Sequence, residues 1–89
     1  MIIRSQNKDL IINFSEIDGI YVHKDGEVFR VDTKNFILGR YSTHEKAIKV
    51  LDMIQEAYIK DCALYIDREN NAKVIPKNRG FQMPQDSEV

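Results

Sequence analysis

The hydrophobic period of this chain changes at Ser42, and this change constrains the fold more than any other feature. Before it, apolar and polar residues alternate, as around Leu10, Ile12 and Phe14, which is the period of a half-buried β-strand. After it, apolar residues recur every three or four positions, which is the period of one face of an α-helix. The members of this helical series are Ala47, Leu51, Ile54, Tyr58, Cys62 and Tyr65. A strand-rich first half followed by one helix predicts an α+β domain.

Tight turns are predicted between the strands of the first half. Asp25 and Gly26 separate two alternating runs, and an Asp-Gly pair tolerates the positive φ angles of a type I′ turn, so we expect a β-hairpin there. A further run over residues 35–41 contains Gly39, which indicates a β-bulge or the close approach of another backbone. Val74 and Ile75 indicate a short later strand.

One long helix is expected over about residues 42–66, packed across an antiparallel, meander-like sheet of four to five strands. Ser42 and Glu45 fit a capping box, in which each side chain accepts a hydrogen bond from the backbone N–H of the other residue. Residues 1–4 supply a first strand, and residues 81–83 are expected to add a strand at the sheet edge.

Length and charge narrow the class of protein. The 89 residues suit one domain, which we place at residues 1–84, followed by a flexible C-terminal tail over residues 85–89. The 13 basic and 14 acidic residues nearly balance, so the overall charge does not favour nucleic acid or an anionic membrane as partner. The single cysteine excludes an internal disulfide and fits the cytoplasm, where we place the protein. No segment approaches the roughly 20 apolar residues of a membrane helix.

Residues that carry catalysis or bind metals are scarce. The three soft metal ligands, His23, His44 and Cys62, fall on different predicted elements and lack any metal-ligand spacing. Cys62 belongs to the helical series, which predicts a buried and unreactive thiol. The four glycines are too scattered for a phosphate-binding loop. We therefore expect no catalytic residue, no cofactor and no metal, and a protein that is not an enzyme.

The start of the predicted helix is basic, which opposes the helix dipole. Arg40, His44, Lys46 and Lys49 stand against one acid, Glu45. Positive side chains at a helix N-terminus are unfavourable by a few tenths of a kcal/mol each, so this arrangement indicates a contact with an anionic partner, either a phosphate backbone or an acidic protein surface. The alternative interpretation is that these residues do not share a face and pair locally.

Three polar residues are interpreted as structural clamps between helix and sheet: Arg4, Asp52 and Gln55. Arg4 can reach from the first strand to Asp52, and Gln55 can bond an open backbone edge, each contact being worth on the order of 1 kcal/mol. The aromatic residues leave two interpretations open, namely a stacking surface for single-stranded nucleic acid on the outer face of the sheet, or a place in the core for at least two of them. These residues are Tyr21, Phe29, Phe36 and Tyr41.

Four short motifs follow one another along the chain: IRSQNK, LGRYST, VLDMIQ and MP, at residues 3–8, 38–43, 50–55 and 83–84. This order resembles a group of small uncharacterised proteins of Gram-positive bacteria (Firmicutes), their phages and mobile elements, in which IRSQ(D/N)K, LGxYST, VLDxIQ and MP recur. The resemblance implies a compact sheet-plus-helix unit and a Firmicutes or phage origin, and it implies no reaction. This chain departs from the group at residues 61–79, a stretch that is longer than expected before the MP motif.

Three functions are compatible with these features. The first is a small non-enzymatic interaction module, associated with a phage or mobile element, that acts through contact with another protein. The alternative is a nucleic-acid-binding accessory protein that uses the basic start of the helix. A small enzyme or ligand-binding domain ranks last. A homodimer also fits, in which the helix and the C-terminal arm reach a second copy, and the sequence leaves open whether residues 67–84 pack on their own domain or on that copy.

Overall fold

The protein has an α+β fold, as predicted, in a computed structural model that describes residues 1–60, 62–66, 72–76 and 80–89. The helix of this part, α1, is His44–Lys60. One 3₁₀ helix, Phe14–Glu16, follows the second strand, and another, Asp86–Glu88, follows the eighth strand. The strands are β1 (Ile2–Arg4), β2 (Ile11–Asn13), β3 (Tyr21–Asp25), β4 (Val28–Asp32), β5 (Ile37–Tyr41), β6 (Cys62–Ile66), β7 (Ala72–Pro76) and β8 (Gly80–Gln82).

The described strands form two three-stranded sheets and a two-stranded hairpin, so the prediction of one sheet of four to five strands is wrong. One sheet has the order β2-β1-β8 and the other has the order β3-β4-β5, while β6 pairs with β7. The first sheet is mixed, because β8 runs parallel to β1. The break between the sheets lies at residues 14–20, which form a 3₁₀ helix and a loop where a meander would need a tight turn.

The predicted hairpin at Gly26 is confirmed, with a different turn. β3 and β4 pair from Asp25 opposite Val28, which leaves Gly26 and Glu27 as a two-residue loop. Gly26 has a φ of 63°, whereas Glu27 is not among the residues with positive φ. Positive φ at the first loop position alone is the pattern of a type II′ turn, for which glycine is favoured at that position.

The β-bulge predicted at Gly39 is confirmed, and the atoms that crowd Gly39 belong to side chains, where the alternative prediction was another backbone. The β4–β5 register shifts between Val31, opposite Gly39, and Asp32, opposite Ile37, so β5 bulges at the residue between them. A Cβ at Gly39 would lie 3.0 Å from Tyr41 Oη and 3.2 Å from Gln6 Cβ. Only glycine therefore fits here without displacing its neighbours.

α1 begins and ends at different residues from those predicted. Thr43 Oγ1 accepts from Lys46 N at 3.1 Å, so the N-cap is Thr43, and Ser42 instead donates to Asp86 Oδ1 from its backbone N at 2.8 Å. The helix ends at Lys60, and Cys62–Ile66 form a strand. The sequence did not separate the two elements, because a run of apolar residues this short is compatible with the period of either a helix or a strand. The strand predicted at Val74 and Ile75 is confirmed as part of β7.

One core joins both sheets to α1. Its fully or nearly buried residues are Ile3, Ile12, Val31, Leu38, Tyr41, Ala47, Val50, Ile54 and Met83. The buried face of α1 is centred on Ala47, Val50 and Ile54, so it is rotated from the predicted stripe. Leu51 is only partly buried, and Tyr58 is 46% exposed.

A hydrogen-bonded joint ties the two sheets together through Gln6. The side chain of Gln6 accepts from Arg40 N at 2.9 Å and donates from Nε2 to the carbonyl O of Arg40 at 3.0 Å, as a neighbouring strand would. The same Nε2 lies 3.2 Å from the carbonyl O of Pro84, to which Tyr41 Oη also donates at 2.8 Å. Burial, with the carboxylates of Asp86 and Glu88 nearby, raises the pKa of Tyr41.

The last five residues are held against this joint, where the sequence predicted a flexible tail. Asp86 accepts from the backbone N and the hydroxyl of Ser42 at 2.8 and 3.1 Å. The backbone N–H of Ser42, its hydroxyl and the nearby Lys46 outweigh desolvation and lower the pKa of Asp86. Val89 packs against the core.

The C-terminal region divides into a strand on its own domain and a hairpin. β8 lies beside β1 of the same chain, so Gly80–Gln82 pack on their own domain and not on a second copy. The β6–β7 hairpin is paired antiparallel over five residues on each strand. For residues 67–71 and 77–79, the question of whether they pack on their own domain or on a second copy lies outside the described residues.

Candidate functional site

Arg40 and His44, the first two residues of the predicted basic contact, are directed to different places. Arg40 lies on the face of the β3-β4-β5 sheet opposite α1, because its neighbour Tyr41 occupies the core face of the strand. His44 is exposed and packs edge-on against Phe29, with 5.5 Å between the ring centroids. A single anionic partner therefore cannot contact both residues across the same surface.

The two lysines also differ in their surroundings. Lys46 Nζ donates to the carbonyl O of Asp86 at 2.9 Å and lies 3.5 Å from Asp86 Oδ2. Lys49 is exposed and makes no ion pair with another described residue. Lys46 and Lys49 are three residues apart on α1, and a contact of any of the four predicted residues with an anionic partner stays a prediction.

The predicted clamp from Arg4 to Asp52 is not formed between these two described residues. Arg4 is exposed, and its Nε donates to the carbonyl O of Lys8 at 3.2 Å. The cause is the pleat of β1, since Ile3 faces the core and the next side chain must point away from it. Asp52 and Gln55 are exposed, and their side chains make no hydrogen bond to the rest of the described chain. Gln6, by contrast, connects the two sheets through its hydrogen bonds to Arg40.

An apolar groove lies between α1 and residues 14–20, the segment that joins the two sheets. Its volume is about 410 Å³, within the range of ligand-binding clefts. Three side chains of the segment and three of α1 form its apolar walls: Phe14, Ile17, Ile20, Leu51, Ile54 and Tyr58. Asp18 and Gln55 are the polar side chains at its surface.

Local structure places two aromatic rings in the wall of the groove. Asn13 Oδ1 accepts from Ser15 N at 3.2 Å and caps the 3₁₀ helix that follows β2. This turn places the ring of Phe14 against that of Tyr58, with 4.9 Å between the centroids. Ile17 and Ile20, which are partly buried against the core, line the same groove as Phe14 and Tyr58.

α1 carries a second apolar stripe, which continues the floor of the groove to the protein surface. Ile48, Leu51, Gln55 and Tyr58 follow one another at three or four residues and Ile59 adjoins Tyr58, so all five share one side of the helix. Ile48 is 39% exposed, Tyr58 is 46% exposed and Ile59 is 63% exposed. The exposed Gln55 lies among these apolar side chains, and clustered exposed apolar side chains of this kind are typical of interaction sites in soluble proteins. We call the groove and this stripe together the α1 groove surface.

Acidic side chains border the α1 groove surface. Asp18 lines the groove, and Glu16 is exposed one turn earlier in the same segment. Asp52 is exposed on α1 beside Leu51, and the carboxylate of Glu56 pairs with Lys60 at 2.8 Å, a hydrogen bond that lowers the pKa of Glu56. The border is therefore negative wherever its carboxylates are unpaired.

A separate polar cluster occupies the outer face of the β3-β4-β5 sheet. Asp32 is buried, and its carboxylate binds His23 Nδ1 at 2.7 Å and Arg30 Nε at 2.9 Å. A pocket of about 350 Å³ borders this cluster, with Tyr21 and Lys34 also in its walls. No group of three or more His, Cys, Asp or Glu side chains close enough to hold a metal ion occurs among the described residues.

The aromatic residues divide between core and surface as the second interpretation predicted. Tyr41 is buried and Phe29 packs against the core, whereas Tyr21 and Phe36 are exposed. The α1 groove surface was not predicted from the sequence. Ile48 and Ile59, two large apolar residues of the helix outside its predicted buried series, could have indicated a second apolar side. The polar cluster could not be predicted, because His23 and Arg30 meet only through the strand register.

No helix in the described part of the chain has the length and apolar character needed to cross a membrane. Comparison with known proteins found no matching family model, no matching curated protein and no matching solved structure. The candidate site is therefore judged on its own geometry.

Proposed function

We propose that this chain is a small non-enzymatic interaction module, which binds another protein on the α1 groove surface. The observation that carries the proposal is that α1 has two apolar stripes, one in the core and one exposed beside an open apolar groove. A helix that only covered a sheet would need the first stripe alone. The exposed stripe is unfavourable for a lone protein in water, and a partner that covers it removes this disadvantage.

The chemistry of the surface selects the kind of partner. The apolar walls of the groove favour a segment with two or three large apolar side chains on one side, such as an amphipathic helix. The carboxylates of Glu16, Asp18 and Asp52 at the border favour Lys or Arg beside those apolar side chains, because opposite charges at the rim speed association and select partners. We propose a cytoplasmic partner of this kind, in a phage or mobile-element context.

Site-specific photocrosslinking in the source cell tests the proposal. A photoreactive amino acid at position 59 lies on the α1 groove surface, and the matched control at position 27 lies in the exposed β3–β4 turn. We expect an adduct from position 59 that is absent from position 27 and is lost when Ile17→Asp is added to the folded protein. An adduct of twice the chain mass would place a second copy in the groove. Equal crosslinking from both positions, or none from position 59, contradicts the proposal.

A further inference from the structure

We propose that the outer face of the β3-β4-β5 sheet binds a nucleoside monophosphate, with the phosphate held by Arg30 and His23 and the base stacked on Tyr21. The lining of this pocket shares one residue, Asp18, with the groove of the α1 groove surface. The inference does not depend on the proposed function.

The buried carboxylate of Asp32 orients two donors toward the pocket. It accepts from Arg30 through Nε and from His23 through Nδ1, and its side chain is only 6% exposed. These contacts fix the planes of the guanidinium and imidazole groups and leave their outer nitrogens, Nη1 and Nη2 of Arg30 and Nε2 of His23, for a ligand. Asp32 is thus a positioning residue.

The outer nitrogens are not used by other described residues. The side chain of His23 makes no hydrogen bond to the described chain except that to Asp32, and it is 55% exposed. Arg30 Nη1 lies 3.8 Å from Asp25 Oδ2, which is beyond hydrogen-bonding distance. A phosphate matches the planar fork of an arginine guanidinium group, which can donate two parallel hydrogen bonds to it.

The strand register concentrates positive charge at this place. His23, Arg30 and Arg40 lie directly opposite one another on β3, β4 and β5, so their side chains form a row across the outer face. Like charges that lie directly opposite in a sheet are destabilising, and an anionic ligand relieves that repulsion. Lys34, which is exposed in the wall of the pocket, adds a further cation, and the carboxylates of Asp18 and Asp32 in the same wall offset part of this charge.

The pocket also offers a planar surface beside the anion donors. The ring of Tyr21 is 47% exposed, lines the same pocket and lies 6.0 Å from the ring of His23. Nucleic-acid-binding proteins use exposed aromatic rings of this kind as surfaces on which a base stacks. A volume of about 350 Å³ suits a ligand of nucleotide size. Phosphate donors and a stacking ring within one pocket favour a nucleotide over a simple anion.

Titration of the ¹⁵N-labelled protein with AMP, adenosine and inorganic phosphate, followed by NMR, tests the site. We expect saturable shifts at the His23 ring and at the β3 and β4 amides with AMP, and about tenfold weaker binding of adenosine and of phosphate. A single-stranded oligonucleotide forms a fourth arm, which shows whether the phosphate source is a free nucleotide or a chain.

Variants separate a binding site from a structural ion-pair network. Arg30→Met and Tyr21→Leu should each weaken AMP binding about tenfold, whereas Lys24→Met, on the opposite face of β3, should leave it unchanged. Tyr21→Leu leaves the ion pairs of Asp32 intact, so it remains informative if Arg30→Met unfolds the protein. The absence of saturable AMP shifts, binding no tighter than that of phosphate, or equal binding by Tyr21→Leu and Lys24→Met would overturn the inference.

Discussion

The carbonyl group of Pro84 receives two hydrogen bonds, and removing both should cost more than the sum of removing each. Tyr41 Oη donates to it at 2.8 Å and Gln6 Nε2 donates at 3.2 Å, and Pro84 is buried. Tyr41→Phe and Gln6→Met each remove one donor with little change of side-chain volume. The pair therefore forms a double-mutant cycle around one buried acceptor.

The structure gives the expected magnitudes. Tyr41→Phe should lower the free energy of unfolding by about 1 kcal/mol, because the acceptor keeps the second donor. Gln6→Met should also cost about 1 kcal/mol, since the backbone groups of Arg40 that it releases lie on an exposed residue, where water can bind them. The double variant leaves a buried carbonyl with no donor, which adds a penalty of about 1–3 kcal/mol. We expect a coupling free energy of about 1–2 kcal/mol.

Urea unfolding of the four proteins, followed by circular dichroism, measures this coupling. The m-values should agree among them, so that differences in midpoint report stability alone. Tyr21→Phe combined with Gln6→Met is the control, because Tyr21 is exposed and should not couple to the joint. If the effects of Tyr41→Phe and Gln6→Met add to within about 0.5 kcal/mol, the shared acceptor does not explain how the sheets are joined.

Three other substitutions test separate parts of the structure. Val50→Asp puts a carboxylate at a fully buried position and should unfold the domain, whereas Leu51→Asp should lower the melting temperature less, because Leu51 is only partly buried. If Val50→Asp melts at the same temperature as Leu51→Asp or above it, the assignment of Val50 to the buried face of α1 is refuted. Asp86→Asn should destabilise the protein at neutral pH, where the lowered pKa keeps the carboxylate ionised and bound to Ser42, and the difference from wild type should vanish as Asp86 is protonated in acid; a pH-independent difference in urea midpoint would exclude this. Lys8→Gly should stabilise the protein by about 0.5–1 kcal/mol, because Lys8 has a φ of 68°, and an unchanged or lower urea midpoint would argue against strain there.

Local pattern predicted the elements better than their partners. The Asp25-Gly26 hairpin, the bulge at Gly39 and a helix that starts near Ser42 follow from residues close in sequence, and the structure has each of them. The end of the helix was predicted wrongly, because residues 62–66 fit either period and the strand depends on pairing with β7. Backbone pairing between distant segments leaves no local trace.

The same limit applies to the candidate sites. The basic residues around Lys46 are adjacent in sequence, yet an ion pair with Asp86 and the pleat of β5 direct them apart. The polar cluster could not be predicted for the opposite reason, because its residues lie on different strands. His23 and Arg30 come together only through the β3–β4 register. Spacing within one element was informative, and spacing across a sheet was not.

The parallel pairing of β1 with β8 sets the order in which the fold can be completed. Ile3 lies opposite Phe81, and Met83 fills the core, so the first strand cannot be finished until residues 80–84 are available. Closing so long a loop slows folding, because chain entropy is lost before any contact compensates for it. A nascent chain stopped before residue 80 would present an unpaired edge of β1 and an unfilled core to chaperones or proteases. During synthesis this protein is therefore at risk until its last strand leaves the ribosome.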